Sequence, residues 1–337
     1  MKRFLSNITI LFATIIIGAS LFEIFIRQFI PQYDPSGHLS FTTNDNGVPI
    51  ALNKGFSRQI KNTGDYDVSI KINGLGLRES KEFSTSTKSD IVVVGDSFSF
   101  GWGVEEHERY SNQLGAILTD QKVFNISIPT DFDGYGKLIN YAKENSLNIH
   151  KLVVGVTMEN DLHHYNVKRS NPDKRRYKIR GTYTLRHLKI YLREHSAAYF
   201  LITSLVHSNS TIRKLAIFMN LIRPNLRGIP AFNFSQQIIV GTADHLHKLV
   251  RQFDSIILII PSRALWVGTK DRRTLADQIH KAFLKELDNR KLIYIDMRSL
   301  MEKNKAPLKY HFKFDGHWTR DAHQIAAKAL AKVIRAK

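Results

Sequence analysis

A run of four apolar β-formers, Ile91-Val92-Val93-Val94, ends at Gly95-Asp96-Ser97, and this junction constrains the fold more than any other stretch of the chain. An uninterrupted apolar run of this length suits a strand covered on both faces, as in a parallel sheet between helices. Gly95 permits a sharp turn at the strand's end. Ser97 then opens a helix, where unpaired N–H groups point toward developing negative charge. The alternation of strand and helix continues downstream. Strands are expected at 123–128, 152–157, 255–260 and 292–295, with helices at 110–119, 136–145 and 273–289. A closing helix carries Ile325, Ala329 and Val333 at spacing four. Five parallel strands with crossover helices imply a three-layer α/β/α fold that binds ligands at the carboxyl ends of its strands.

The rhythm breaks at His163 and resumes near Gln236. This insertion, 163–235, holds 14 Lys/Arg against Asp173 and Glu194, so it carries +12 of the chain's net +19. A helix is expected around 185–206, with Leu188, Tyr191, Leu192 and Tyr199 on one apolar face. Its place after the third strand puts it at the ligand-binding edge of the sheet. It is either a structural helical hairpin or a lobe that caps the site or contacts a membrane or substrate. The basic surplus suits an anionic partner such as lipid headgroups or an acidic envelope polymer, with Lys174, Arg175 and Arg176 as candidate contacts. The alternative is a solvated basic surface. Nucleic acid is not the expected partner, because the insertion matches no nucleic-acid module.

At the N-terminus, Lys2 and Arg3 precede an apolar stretch from Ile8 to Ile26, interrupted by Glu23. Its length approaches the ~20 helical residues that span a bilayer's hydrocarbon core. Positive charge ahead of it argues for a cytoplasmic N-terminus and an exported body. A cleaved signal peptide would use Gly18-Ala19-Ser20. The apolar run continues past that point, which favours an uncleaved transmembrane anchor over residues 1–30. Residues 31–89, with Pro31, Pro35 and Pro49, read as a lead-in with short β elements, including a strand at 67–72. The main domain is expected over 90–337, interrupted by the insertion. No cysteine is present, which removes disulfides and thiolate chemistry from consideration.

A serine hydroxyl needs a base to take its proton. Asp315-Gly316-His317 supplies one: in an extended loop, residues two apart face the same side, so Asp315 can hold Nδ1–H while Nε2 faces Ser97. Gly134 follows the second strand and Asn160 the third, and loops after adjacent parallel strands converge. Their N–H groups, with that of Ser97, would form an oxyanion hole. Read individually, Gly134 and Gly136 are turn glycines and Asn160 is a helix cap. His163-His164, and His245 with His247, lack an acidic cluster at ligand spacing and are expected to be surface histidines, not a metal site. No Gly-x-Ser-x-Gly elbow, phosphate-binding loop or dinucleotide fingerprint occurs.

These blocks, in this order, resemble the SGNH/GDSL hydrolase superfamily. Gly95-Asp96-Ser97 matches the first block, Gly134 the second, Asn160 the third, and Asp315 and His317 the fourth with Asp-x-His spacing. The run Gly-Asp-Ser-Phe-Ser-Phe-Gly-Trp-Gly-Val from Gly95, and Asn73-Gly74-Leu75-Gly76-Leu77-Arg78, resemble a bacterial, membrane-anchored branch. Two positions depart from the pattern: Met158 stands where a glycine is usual, and Ala322 precedes His323 where Gly-His is common. The resemblance implies a flavodoxin-like sheet and a serine esterase with Ser97, His317 and Asp315 as triad. It implies Ser97, Gly134 and Asn160 as oxyanion hole, with no cofactor or metal. The expected substrate is an acylated, notably O-acetylated, envelope glycan or lipid, met on the periplasmic side of the inner membrane. O-acyl transfer to a glycan, or a non-catalytic envelope-binding role, are the alternatives.

Overall fold

The computed structural model of the chain describes residues 2–163, 188, 191–219, 221, 235–303 and 305–336. It divides into two compact units, one of residues 1–38, 60–64 and 173–224, the other of residues 39–59, 65–172 and 225–337.

The first unit contains the helix Lys2–Phe29. Within it Ser6–Phe29, whose most apolar 18-residue window has a mean hydropathy of 2.2, is long and apolar enough to cross a membrane. The same unit holds the helices Ala197–Ser208 and Ser210–Phe218. The continuous helix expected over 185–206 is therefore interrupted. Ser196 has extended backbone, and its hydroxyl accepts the Tyr199 N–H at 3.1 Å, which starts a new helix there. Asn209 caps the next one through Thr211 and Ile212. Of the expected apolar face, Leu188 and Tyr191 are exposed.

The second unit begins with two small sheets. Strand β1 (Phe41–Thr43) runs antiparallel to β2 (Pro49–Ala51), and β3 (Gly55–Ile60) pairs with β4 (Asp67–Ile72). Along β4 exposed and buried residues alternate, sending Val68, Ile70 and Ile72 inward. The main sheet comprises β5 (Ile91–Val94), β6 (Val123–Asn125), β7 (Lys151–Thr157), β8 (Asp254–Ile260) and β9 (Tyr294–Asp296). All neighbours are parallel, in the order β6-β5-β7-β8-β9.

Alternate residues of these strands serve two cores. Val92, Val94, Ile257 and Ile259 join Leu138, Leu246 and Phe283 on one face. Ile91, Val93, Leu258 and Ile260 join Leu114, Met301 and Leu330 on the other. Each such side chain contributes roughly 1.5–3 kcal/mol when fully buried, so the run Ile91–Val94 is apolar throughout because both its faces are covered. The result is the expected flavodoxin-like three-layer sandwich. Its strand order reverses between β5 and β7, which opens a crevice beyond their carboxyl ends.

One boundary differs from the sequence expectation in a way that matters for the site. The helix after β6 begins at Phe132, four residues before 136, because the Asp131 carboxylate accepts the Gly134 N–H at 3.1 Å. Gly134 and Gly136 thus lie inside the first helical turns, not in a loop.

Candidate active site

Asp96 sits between β5 and the short helix Ser97–Phe100 and organises the crevice. Its Oδ1 accepts the Phe98 N–H at 3.0 Å, capping that helix, while Oδ2 accepts Nδ2–H of Asn160 at 2.8 Å. One buried carboxylate thereby ties the serine turn to the loop after β7. Burial raises its pKa, and the Asn160 amide and Phe98 N–H pull it back.

The structure brings Ser97, His317 and Asp315 together. Ser97 Oγ lies 2.8 Å from Nε2 of His317, and the His317 Nδ1 bonds to Oδ1 of Asp315. That carboxylate also accepts the His317 backbone N–H at 3.3 Å. With Nδ1 carrying the proton toward Asp315, the Nε2 lone pair faces the serine hydroxyl, the arrangement a general base requires. Gly316 makes the turn between them at φ 100°, a left-handed conformation that favours glycine. The Arg263 guanidinium packs directly against Gly316 and leaves no room for a Cβ there. Glu159 holds Arg263 in turn, accepting its backbone N–H at 2.8 Å and lying 3.5 Å from its Nη2. The loops after β7 and β8 therefore brace the histidine loop.

Two aromatic residues of the site were not identified from sequence. Tyr66 donates to Oδ2 of Asp315 at 3.1 Å and accepts the Trp102 Nε1–H at 2.6 Å. Burial, reinforced by the Asp315 charge, pushes the Tyr66 pKa up, so its hydroxyl stays protonated and donating. The Trp102 ring stacks on the His317 imidazole, 5.4 Å between centroids and inclined by 26°. Trp102 stood in the Gly-Trp-Gly stretch after the serine block. Tyr66 carried no sequence signal, because its role depends on a partner 249 positions away.

Arg78 gives the Asn73–Arg78 motif a physical reason. Its Nη1 donates to the carbonyl of Gly101 at 2.7 Å and its Nη2 to that of Val104 at 2.8 Å, fixing the loop that presents Trp102. Arg109 donates to the Arg78 carbonyl at 2.7 Å from beside it.

An open cavity of about 290 Å³ adjoins Ser97, lined by Asp96, Ser97, Pro129, Thr130, Asp131 and Asn160. Asn160 is exposed at its wall, and its amide has a second N–H beyond the one given to Asp96. Gly134 is not part of this wall. Its N–H is engaged by Asp131, and its Cα packs against Thr130, so the loop of the second block reaches the cavity through Pro129–Asp131 instead. A larger hollow of about 510 Å³, lined in part by Asp90 and Lys122, lies at the strands' amino ends and includes none of Ser97, Asp315 and His317.

Asp161 is fully buried, accepting the Thr157 N–H at 2.8 Å and the Tyr135 hydroxyl at 3.2 Å. Burial, with the Asp96 charge nearby, holds its carboxyl well above the usual range, so it braces the loop after β7. His323 is equally buried: burial and the charges of Arg78 and Arg109 lower its pKa to about 3, leaving a neutral ring whose Nδ1 accepts the Tyr110 N–H at 3.3 Å. Lys174, Arg175 and Arg176, the candidate contacts of the insertion, lie outside the described residues.

Residues 227–337 match the family model described as SGNH hydrolase-like domain, acetyltransferase AlgX. No protein of curated function matches the chain in sequence. Similar solved structures include a member of the lipolytic G-D-S-L family from Veillonella parvula, at 9% identity over 73% of this chain and 98% of that one, with a TM-score of 0.41. A lipase/acylhydrolase from Enterococcus faecalis is 10% identical over 73% of this chain and 96% of its own, with a TM-score of 0.40. A catalytic mutant of an acetylxylan esterase from Geobacillus stearothermophilus is 9% identical over 74% and 96%, with a TM-score of 0.37.

Proposed function

We propose that the chain is a serine-dependent enzyme of the SGNH type acting on acyl esters of a cell-envelope glycan or lipid, a reading supported by the match of residues 227–337 to an SGNH hydrolase-like family model. The observation that carries this reading is the 2.8 Å approach of Ser97 Oγ to a His317 ring whose other nitrogen is bonded to Asp315. In the proposed reaction Ser97 Oγ attacks the ester carbonyl carbon while His317 Nε2 takes its proton. Asp315 stabilises the imidazolium and keeps the ring oriented, aided by Tyr66. The oxyanion accepts hydrogen bonds from the second Asn160 amide N–H and from the Ser97 N–H. Collapse breaks the ester C–O bond, and His317 returns the proton to the departing alcohol. A water then attacks the acyl-serine by the same route in reverse, releasing the acid.

Transfer is the second reading. A sugar hydroxyl replaces water in the last step, and the match of residues 227–337 to a domain described for an acetyltransferase favours it. An O-acetyl group suits either outcome. The helix Ser6–Phe29, preceded by Lys2 and Arg3, supports an inner-membrane anchor with the rest of the chain on the periplasmic side.

Full-length protein treated with a fluorophosphonate probe is expected to label at Ser97, with labelling lost in Ser97→Ala and His317→Ala. Acetate release from p-nitrophenyl acetate, compared with acetyl-glycan formation in the presence of an acceptor, separates hydrolysis from transfer. Absence of both labelling and turnover in the folded protein overturns the enzyme reading and leaves an envelope-binding protein of this fold.

A further inference from the structure

Glu23 and Arg27 of the N-terminal helix are engaged within its own unit. Glu23 reaches the start of the helix Ala197–Ser208, where it accepts the Ser196 hydroxyl at 2.9 Å, the Ala197 N–H at 2.8 Å and the Ala198 N–H at 3.0 Å. A carboxylate so placed satisfies orphan donors of a helix N-terminus and complements its dipole. Arg27, one turn further on, bridges Glu23 at 2.8 Å and Asp34 at 2.6 Å, and donates to the His195 carbonyl at 2.6 Å. The buried side of the second helix is also occupied. Phe200 packs edge-on against His38 and beside Tyr33, and Thr203 accepts from Asn62 at 3.2 Å. The sequence gives Glu23 no reason to interrupt an apolar helix. The insertion supplies that reason.

The opposite side of this pair of helices is apolar and uncovered. Ile202, Leu205, Ile212, Leu215, Phe218 and Met219 are between 46% and 83% exposed. In the helix Ser210–Phe218 and its C-cap the positions 212, 215 and 219 fall on one face, with Thr211 and Phe218 on its flank and Arg213 and Lys214 turned away from it. That is the pattern of a helix lying in a membrane interface, with apolar residues toward the acyl chains and basic residues toward anionic headgroups. Glu23 stands six residues before the end of a 24-residue candidate span, about 9 Å along the helix axis at 1.5 Å per residue. The hairpin is tied to the span where it emerges from the hydrocarbon.

We propose that the hairpin Ala197–Ser208 and Ser210–Phe218 is a membrane-interface lobe, its apolar face embedded in the outer leaflet of the membrane that the N-terminal helix crosses. The proposal rests on the anchor reading above. It commits to lipid as occupant because the face is continuous with the span through Glu23 and Arg27, and because the insertion around it carries the chain's basic surplus. The lobe's place at the interface holds the insertion against the bilayer as a second point of attachment.

The chain has no cysteine, so single cysteines can be introduced and spin-labelled in the full-length protein, reconstituted into phosphatidylethanolamine–phosphatidylglycerol liposomes. Ile16→Cys reports on the span, Leu215→Cys and Phe218→Cys on the hairpin, and Lys88→Cys on the water-exposed body. Labels at 215 and 218 are expected to follow Ile16, with an oxygen-to-nickel-chelate collision ratio several-fold above that at Lys88. Glu23→Ala is expected to reduce the ratio at 215 and 218 without changing it at 16. If 215 and 218 match Lys88 while 16 keeps its lipid signature, the interface lobe is overturned and the anchor stands. Loss of the lipid signature at 16 overturns the anchor and the lobe together. Dipolar broadening between labels at 215, with both reagents excluded, would assign the face to a second copy of the chain and overturn the lipid assignment.

Discussion

Tyr66 donates its hydroxyl to Oδ2 of Asp315 at 3.1 Å, on the carboxylate whose other oxygen holds the His317 ring. The bond fixes the carboxylate plane, and Trp102 secures it from behind through its Nε1–H. A hydrogen bond to a charged group is worth about 1.5–3 kcal/mol, and each ~1.4 kcal/mol of barrier is tenfold in rate. Tyr66→Phe is therefore expected to lower kcat for p-nitrophenyl acetate about 10-fold or more with little change in KM. A kcat equal to wild type would show that Asp315 needs no such support.

Asn160 gives one amide hydrogen to Asp96 and has one left at the cavity wall. Removing a single oxyanion donor typically costs ~10²–10³ in kcat, and Asn160→Ala is expected to fall in that range. Asn160→Asp is expected to do worse, since it would set a second carboxylate against Asp96. Circular dichroism and urea midpoints on both variants separate lost chemistry from lost folding.

Gly134, expected from sequence to donate to an oxyanion, has its N–H held by the Asp131 carboxylate. A Cβ there would sit 2.0 Å from Thr130 Oγ1, so Gly134→Ala must displace the loop that lines the cavity. Overpacking of this kind costs about 1–3 kcal/mol. The variant is expected to lose both stability and activity, and adding Thr130→Ala is expected to recover part of each. Failure of the double variant to recover anything would point back to a direct role for the Gly134 backbone.

Acid sensitivity should be traceable to His323. Its folded-state pKa of about 3 lies below the ordinary value near 6.5, so the folded protein keeps the ring neutral while the unfolded chain takes up a proton. The stability this neutral ring permits is whole above about pH 6.5 and falls by roughly 1.4 kcal/mol per unit as the pH drops toward 3. His311, lowered to about 3 by burial and by Arg263, adds a parallel loss. His323→Asn keeps an acceptor for the Tyr110 N–H. It is expected to lose less stability than wild type between pH 7 and pH 4.5, measured by urea unfolding. Equal losses would exclude the His323 ring as a source.

The chemistry-bearing motifs were legible because each is local. Gly95-Asp96-Ser97 is a strand end and helix start in consecutive residues, and Asp315-Gly316-His317 is one tight turn. The helix start at Asp131 was written in the sequence as well, as an aspartate three residues before Gly134. The two glycines at 134 and 136 masked it by resembling a turn. Glu23 read as a defect in an apolar segment, because its partners lie some 170 positions further along.

By itself the sequence determined the two-sided apolar strands, and hence a parallel sandwich with its crevice at the carboxyl ends, together with the serine, asparagine, aspartate and histidine that could converge there. These follow from periodicity and from turn and cap chemistry, which act over a few residues. Only the tertiary structure decided which groups hold His317 and Asp315 in place, namely Tyr66, Trp102, Arg78 and Arg263. It alone shows the Gly134 N–H bonded to Asp131 and Pro129–Asp131 lining the cavity, and it alone gave Glu23 a partner in the insertion. Such contacts join segments distant in the chain through packing and hydrogen bonds, whose energies depend on three-dimensional proximity and leave no periodic trace in the order of residues.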